Sequence, residues 1–328
     1  MKPLVLLLSL IAAAPLCGCS TNAATGRSQF GALSRTEEIS MGSEARPEII
    51  KEYGGEIGNT EVKGYVTEIG LKLAAQTESD NPTLPWTFTV LNSDIVNAFA
   101  LPGGQIFISR GLLRRMTNEA QVAGVLGHEV GHVTARHIND RIVSERTTAI
   151  TSAVLSAVLT EGLGAGLGGL TPRAVQLGGQ TVVLSFGRDQ EIEADRLGMR
   201  YMSRCNYNPA AQRQVMEILE AEAKGDPNPE WLSTHPYPKT RIEKIDQQLA
   251  TTYKTIKDDP AYVFNEADFK AKCLSKLSAV PTDERPTLAA AGRFWWCGVC
   301  AEQERAAQSS HERVVQVSQG RVAQASGL

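Results

Sequence analysis

The chain has 328 residues, of which 42% are hydrophobic, and this is enough apolar content for one sizeable core with additions. Its 33 Lys and Arg residues nearly balance its 36 Asp and Glu residues, giving a formal net charge of −3. Because no basic patch or nucleic-acid motif stands out, the composition argues against a nucleic-acid partner.

Residues 1–18 are predicted to be a secretory signal. A charged Lys2 precedes an apolar run from Leu4 to Ala14, which is too short to span a bilayer permanently. The stretch Leu16-Cys17-Gly18-Cys19 then resembles a bacterial lipobox, in which a small residue precedes the lipidated cysteine. Cys19 fits this pattern, whereas the bulky residue before Cys17 does not.

Cys19 is therefore the predicted lipidation site, and residues 19–33 are predicted to be a lipidated linker. A diacylated cysteine gives stable membrane anchoring without a spanning helix. Ser20 after the cysteine favours the outer membrane, so the expected location is the periplasmic face of the bacterial envelope. Without residues 1–18 the net charge is near −4.

The next elements are two helices and a small sheet. Ser34 and Glu37 form a capping box for a helix toward Tyr53, and residues 62–73 carry one apolar stripe at helical spacing. A strand with alternating apolar residues over 86–90 follows. The chain is extended on both sides of a turn at 102–104, which predicts a small antiparallel sheet.

His128-Glu129-Val130-Gly131-His132 is the strongest chemical signal in the chain. Asn118 can cap a helix through this motif. With 3.6 residues per turn, His128 and His132 then share one face and can bind one metal ion. Glu129 is rotated off the ligand stripe, where it can take a proton from a water that the metal activates. Two imidazoles together with one carboxylate fit zinc best and do not exclude other divalent ions.

A second acidic helix is predicted from about residue 190 to 204. Glu191 and Asp195 share a face of it, whereas Glu193 points elsewhere. One of the two carboxylates can bind the metal, and the other can accept the free N–H of a ligating histidine. An acidic helix start favoured by the helix dipole is the alternative explanation.

Four motifs in this order resemble the M48 (Ste24/HtpX-like) metallopeptidases, in their soluble periplasmic lipoprotein branch. They are NAFALPGG at 97–104, HEVGH at 128–132, EIEAD at 191–195 and STHPYPKTRI at 233–242. The resemblance spans roughly residues 30 to 250. It implies an α+β fold, a mostly helical zincin-type domain over residues 34–280, with the small antiparallel sheet beside the HExxH helix and one Zn²⁺ per chain.

The resemblance also assigns roles. It makes Glu191 the third zinc ligand and Asp195 its support. It makes residues 97–101 the substrate-binding edge strand, with the substrate contacts at Asn97, Ala98, Phe99 and Ala100. A sheet that only covers the helix core is the alternative. One departure is Cys205-Asn206, where the family usually has glycine.

His235 precedes Pro236, which places it in a loop before the helix containing Arg241. In related proteins a histidine here approaches the metal. It could polarise the substrate oxyanion, so that His235→Ala loses activity. It could instead occupy the fourth metal position, so that His235→Ala gains activity. Simple packing near a helix start is the third reading.

The other histidines and cysteines carry weaker signals. His137 is expected to be a cation at the end of the motif helix and not a ligand, and His311 has no assigned role. In an oxidising periplasm Cys205 could pair with Cys273 and Cys297 with Cys300, one of three connectivities.

Two long segments complete the chain. Residues 148–170 are rich in glycine and alanine and predict a buried helix followed by a mobile loop, although their length alone permits a membrane span. Residues 281–328 predict a disordered tail, unless the aromatic patch at 294–296 docks a partner or closes over the domain.

The functional prediction is a zinc endopeptidase (EC 3.4.24.-) that hydrolyses unfolded or misassembled envelope proteins. Glu129 is the general base in this prediction. The alternatives are a chaperone or assembly factor for outer-membrane proteins, working with the assembly machinery, and a zincin acting on something other than peptides.

Overall fold

A computed structural model describes residues 19–31, 33–78, 84–144, 186–225, 230–236 and 238–277. The predicted signal segment, the stretch 148–170, His311 and the tail from residue 281 lie outside these ranges. Among the helices that are described, none combines the length and the apolar composition needed to cross a membrane.

The first two predicted helices are confirmed. Helix α1 (Arg35–Glu52) starts at Ser34, whose hydroxyl accepts a hydrogen bond from the backbone N–H of Glu37 at 3.2 Å while the Glu37 carboxylate accepts from the Ser34 N–H at 2.7 Å. Helix α2 (Thr60–Ala74) buries the predicted apolar stripe against the sheet and the motif helix.

The sheet has three strands, β3 (Thr87–Leu91), β4 (Ala98–Leu101) and β5 (Gln105–Ser109), in the order β3-β5-β4. Strands β4 and β5 are antiparallel, as predicted, across a turn in which Gly103 and Gly104 have φ of 76° and 93°. Strand β3, however, runs parallel to β5. The sheet is therefore mixed. After β3 the chain first forms β4 at the edge of the sheet and then turns back as β5, which lies between β4 and β3.

The motif helix is almost entirely enclosed. After a short helix α3 (Arg110–Leu113), helix α4 (Glu119–Thr134) begins at Asn118, whose side chain accepts from the Gln121 N–H at 2.9 Å. Every residue of α4 is buried. A further helical segment begins at residue 137 and is described as far as 144.

Helix α5 (Arg188–Arg204) crosses α4 with the two backbones in direct contact. A Cβ added to Gly198 would lie 2.9 Å from the His128 backbone nitrogen, and one added to Gly131 would lie 2.9 Å from the Ala194 carbonyl oxygen. Only glycine allows so close an approach, and it places the acidic face of α5 beside the histidine face of α4.

The remaining helices pack around this pair. They are α6 (Ala210–Gly225), α7 (Glu230–Thr234), α8 (Pro238–Ala250), α9 (Glu266–Phe269), a π-helical turn (Lys270–Leu274) and α10 (Ser275–Leu277). The side chain of Asn208 caps α6, since it accepts from the Ala210 N–H at 2.9 Å. Just before it, Asn206 takes the left-handed conformation at φ 62°, which asparagine tolerates better than most residues. The departure from glycine is thereby accommodated.

Residues 19–33 are more ordered than the predicted linker. Strands β1 (Cys19–Thr21) and β2 (Ser28–Phe30) form an antiparallel hairpin. The Asn22 and Gln29 side chains donate to the Thr134 and Ala135 carbonyl oxygens at 2.8 and 2.5 Å. These carbonyls end α4 and lack helical partners, so the hairpin caps the motif helix.

The suggested pairing of Cys205 with Cys273 is wrong. Both are free, buried thiols. The Cys205 thiol donates to the Lys72 carbonyl oxygen at 3.3 Å, and burial raises the pKa of Cys273 to about 12. Neither thiol is therefore activated, and Cys297 and Cys300 lie outside the described residues.

The helix crossing predicts that Gly198→Ala destabilises the fold by about 1–3 kcal/mol, because the new methyl group overlaps the His128 backbone. Gly64→Ala is the matched control, since Gly64 is an exposed position of α2 with no atom within 4 Å of an added Cβ. It should gain up to about 1 kcal/mol. Urea denaturation with a chelator present measures both, and equal responses would contradict the close crossing.

Candidate metal centre

The two motif histidines of α4 face the same point. Their Nε2 atoms lie 3.0 Å apart, and both rings are buried. Burial lowers the pKa of His132 well below its ordinary value, and the nearby His128 lowers it further. The neutral imidazole is the form that binds a metal ion.

Helix α5 contributes a carboxylate to this point. The two oxygens of Glu191 lie 3.4 Å from His132 Nε2 and 3.6 Å from His128 Nε2. Burial would raise the pKa of Glu191, but His235, Arg241 and the ring of His132 lower it well below the ordinary value. Glu191 is thus held as a carboxylate without contact with solvent.

His235 completes the cluster from the loop after α7. Its Nδ1 lies 3.1 Å from Glu191 Oε1 and 3.4 Å from His128 Nε2. One ligand atom from each of His128, His132, Glu191 and His235 falls within 4.8 Å of the others. Three imidazole nitrogens and one carboxylate oxygen, converging in a buried site, form a donor set that fits zinc.

Glu129 lies beside the cluster and outside it. Its Oε2 is buried and has no hydrogen-bond partner among the described residues, and its Oε1 is 3.6 Å from His235 Nε2. Burial raises the pKa of Glu129, although the neighbouring His235 and His128 partly oppose this. A buried carboxylate oxygen without a partner is costly, so it indicates a place for a water or a substrate group.

Asp195 lies against the first motif histidine. Its Oδ1 is 2.9 Å from His128 Nδ1, as expected from the i, i+4 spacing with Glu191. Arg241 donates to both Asp195 oxygens at 2.7 Å and lies 2.7 Å from Glu191 Oε2. Burial would raise the pKa of Asp195, but Arg241 and His128 lower it below its ordinary value.

Arg241 was not predicted to belong to the site. It is 3% exposed and joins the two carboxylates of α5 to helix α8. The available signal was its position six residues after His235 in the STHPYPKTRI motif. Sequence alone does not show that this arginine turns inward, because an arginine in an amphipathic helix is usually exposed.

One part of the expectation for His137 is wrong. It is not a cation at the helix end, since its ring is fully buried against His132 and Phe186. Burial lowers the pKa of His137, although its contact with Glu193 opposes this. It is also absent from the cluster that could hold a metal ion.

The predicted substrate-binding residues are divided between two sides of β4. Ala98 lies at the site, where its carbonyl oxygen is 3.3 Å from His235 Nε2. The Phe99 ring instead packs against Tyr53 and Phe107, and Asn97 donates to Glu230 at 2.7 Å. Ala100 is buried in the hydrophobic core.

One helix that supplies two imidazoles with a carboxylate between them, and a second helix that supplies an acidic ligand, are typical of the zincin class of metallopeptidases. Residues 61–249 match the profile of peptidase family M48, which is more than half of the chain. The chain therefore belongs to peptidase family M48, and the resemblance of its four motifs is confirmed.

Individual relatives agree with this assignment. The chain is 30% identical over 181 residues to the Escherichia coli K12 beta-barrel assembly-enhancing protease, covering 54% of this chain and 37% of that protein. It is 31% identical over 236 residues to the Schizosaccharomyces pombe mitochondrial metalloendopeptidase OMA1, and this match covers 69% of this chain and 65% of that protein. The Arabidopsis thaliana OMA1 is 37% identical over 164 residues, and this match covers 50% of this chain and 32% of that protein. The matches therefore span about a third to two thirds of each relative.

The contacts of Asp195 predict that Asp195→Asn lowers zinc affinity by about 10- to 100-fold, because His128 loses the carboxylate that fixes its ring. Competition with a chromogenic chelator measures the affinity. Asp246→Asn is the control, since Asp246 is an exposed carboxylate of α8 that pairs only with Arg213 among its described contacts. An unchanged affinity for Asp195→Asn would refute this role.

Proposed function

We propose that the protein is a zinc-dependent endopeptidase of the bacterial cell envelope that hydrolyses unfolded or misassembled proteins. The observation that carries this proposal is the buried cluster of His128, His132, Glu191 and His235 beside the unpartnered oxygen of Glu129. His128, His132 and Glu191 would hold the ion.

When bound, zinc supplies a Lewis acid that lowers the pKa of water and polarises a carbonyl group. Glu129 then takes the proton from the attacking water and returns it to the leaving amine. Its raised pKa makes it a stronger base than an exposed glutamate. Asp195 and Arg241 keep the ring of His128 and the carboxylate of Glu191 in place during the reaction.

The substrate backbone is proposed to pair with β4. In the described sheet β4 lies at the edge, with only β5 beside it. The Ala98 carbonyl oxygen points away from β5 toward His235, so an extended peptide could take that hydrogen bond. Strand addition uses backbone groups and suits substrates without a common sequence.

A small cavity of about 30 Å³ lies next to Glu129, and apolar side chains line part of it, among them Leu112, Val125, Val215, Leu219 and Trp231. This volume admits a water molecule but no side chain. The proposed preference for unfolded or misassembled chains is therefore supported by strand addition, which needs an extended backbone.

His235 is proposed to close the fourth metal position at rest. It lies within the ligand cluster and also occupies the free carbonyl of Ala98. The preceding helix α7 is tied down through Glu230, which accepts from Asn97 at 2.7 Å and from Tyr53. The buried indole N–H of Trp231 in α7 has no partner among the described residues, which makes this docked state less stable.

The location follows from the predicted lipobox. An anchor on Cys19 would hold the catalytic domain close to the membrane surface, because the β1–β2 hairpin begins at that residue and contacts the end of α4. The outer membrane is the proposed site. One relative is named a beta-barrel assembly-enhancing protease, which favours an assembly factor for outer-membrane proteins as the second candidate function.

Cleavage of unfolded casein by the purified domain tests the enzyme. Glu129→Gln should lower the rate about 100- to 10,000-fold, since the base is lost, and a chelator should abolish cleavage of the wild type. Glu243→Gln, an exposed glutamate of α8, is the control. Absence of metal-dependent cleavage, also in His235→Ala, would rule out the protease. In cells, an assembly factor should keep its effect with Glu129→Gln.

The resting role of His235 predicts a severalfold gain in casein cleavage for His235→Ala, because the fourth position and the Ala98 carbonyl are released. Lys239→Ala, an exposed position of α8, controls for the substitution itself. A loss of activity with unchanged zinc content would instead assign His235 to stabilising the oxyanion.

A further inference from the structure

A chain of buried polar contacts leads away from the metal centre on the side opposite Asp195. His137 Nδ1 lies 2.9 Å from His132 Nδ1, and His137 Nε2 lies 3.1 Å from Glu193 Oε2. The same Glu193 oxygen accepts from Arg27 Nε at 2.9 Å. Both rings are fully buried, so water does not compete for these nitrogens.

With a metal ion on His132 Nε2, only one arrangement of protons satisfies every contact in this chain of contacts. His132 Nε2 faces His128 and Glu191, so it must be unprotonated to bind a metal ion. His132 Nδ1–H then donates to His137 Nδ1. His137 carries its own proton on Nε2 and donates it to the Glu193 carboxylate. A metal-binding histidine generally needs such an acceptor for its second nitrogen.

The backbone brings His137 to this place by an unusual turn. Five residues along an unbroken helix would rotate His137 away from His132. Helix α4 instead ends at Thr134 with Ala135 as its C-cap, and Arg136 takes the left-handed conformation at φ 57°. Arg136 is held there by Glu38 at 3.0 Å and by the Leu33 carbonyl oxygen at 2.5 Å. Such a conformation persists only where several contacts enforce it.

The N-terminal hairpin supplies the far end of the chain of contacts. Arg27, in the turn between β1 and β2, donates to Glu193 and to Asp140, the latter at 3.1 Å. Asn22 and Gln29 fix the same hairpin on the end of α4. The charged group that orients Glu193 therefore comes from the segment that follows Cys19.

We propose that His137 is a positioning residue for the zinc ligand His132, oriented by Glu193 and Arg27, so that the N-terminal hairpin is a structural part of the metal centre. His137 accepts the Nδ1 proton of His132 and thereby fixes the ring and its tautomer. The inference rests on the proposed function only in taking His132 as a zinc ligand.

Zinc affinity of the purified protein, measured by chelator competition, is the readout. His137→Phe keeps a ring and removes both hydrogen bonds, and it should weaken zinc binding about 10- to 100-fold. His137→Asn places an acceptor oxygen near the former Nδ1, and it should restore most of the affinity. Thermal unfolding of the metal-free variants establishes that each is folded.

Charge variants test the outer part of this chain of contacts, where Arg27 meets Glu193. Arg27→Met should weaken zinc binding severalfold, because Glu193 loses the guanidinium that aims it at His137. Arg196→Met is the matched control: it also removes a positive charge near Glu193 and its side chain is 43% exposed against 41% for Arg27, but Arg196 contacts the other oxygen at 3.5 Å. Its affinity should stay at the wild-type value.

The outcomes separate this inference from the proposed function. If the wild type binds no zinc, the proposed function fails. If the wild type binds zinc and His137→Phe binds it equally well, the inference alone fails. Equal losses for His137→Asn and His137→Phe would also overturn it, because His137 would then contribute packing and not a hydrogen bond.

Discussion

The metal centre depends on the direct backbone contact between helices α4 and α5. Glycines at 127, 131 and 198 remove the side chains that would otherwise separate the two helices. At this short distance Glu191 reaches the Nε2 atoms of both motif histidines, and Asp195 reaches the second nitrogen of His128. If the two helices lay further apart, the same residues would still occupy the same helix faces but would be too distant from one another to bind one metal ion.

Burial then decides the chemistry of the site. Removing a carboxylate from water costs free energy, which is repaid only by well-placed partners. Arg241 and the histidines provide them for Glu191 and Asp195, although Glu191 Oε2 has an ion-pair partner in Arg241 and no hydrogen bond, whereas Glu129 Oε2 has no partner of either kind among the described residues. Within the same buried site, the carboxylates of Glu191 and Asp195 are held by their partners, whereas that of Glu129 is available to react. On the side of β4, His235 encloses the site through its contact with the Ala98 carbonyl oxygen.

Local patterns in the sequence were sufficient for most of the elements and for the candidate ligand pairs, and the resemblance to the family chose Glu191 over Asp195 as the predicted ligand. The cap at Asn118, the i, i+4 pair in HEVGH and the i, i+4 pair Glu191 and Asp195 depend only on helical spacing, which sequence fixes. The contributions of His137, of the hairpin and of the parallel pairing of β3 were not visible. The first two depend on a left-handed residue at Arg136 and on contacts between segments more than 100 residues apart, such as Asn22 with Thr134. The parallel pairing joins β3 to a strand 18 residues further along the chain, and local alternation of apolar residues does not give the direction of pairing.

Anomalous X-ray scattering at the zinc edge, from crystals of the protein beginning at residue 19, tests the central claim most directly. One peak per chain should lie about 2.0–2.2 Å from Nε2 of His128, Nε2 of His132 and a carboxylate oxygen of Glu191. A peak bound by other residues, or the absence of a peak in protein that was purified with zinc, would contradict the account.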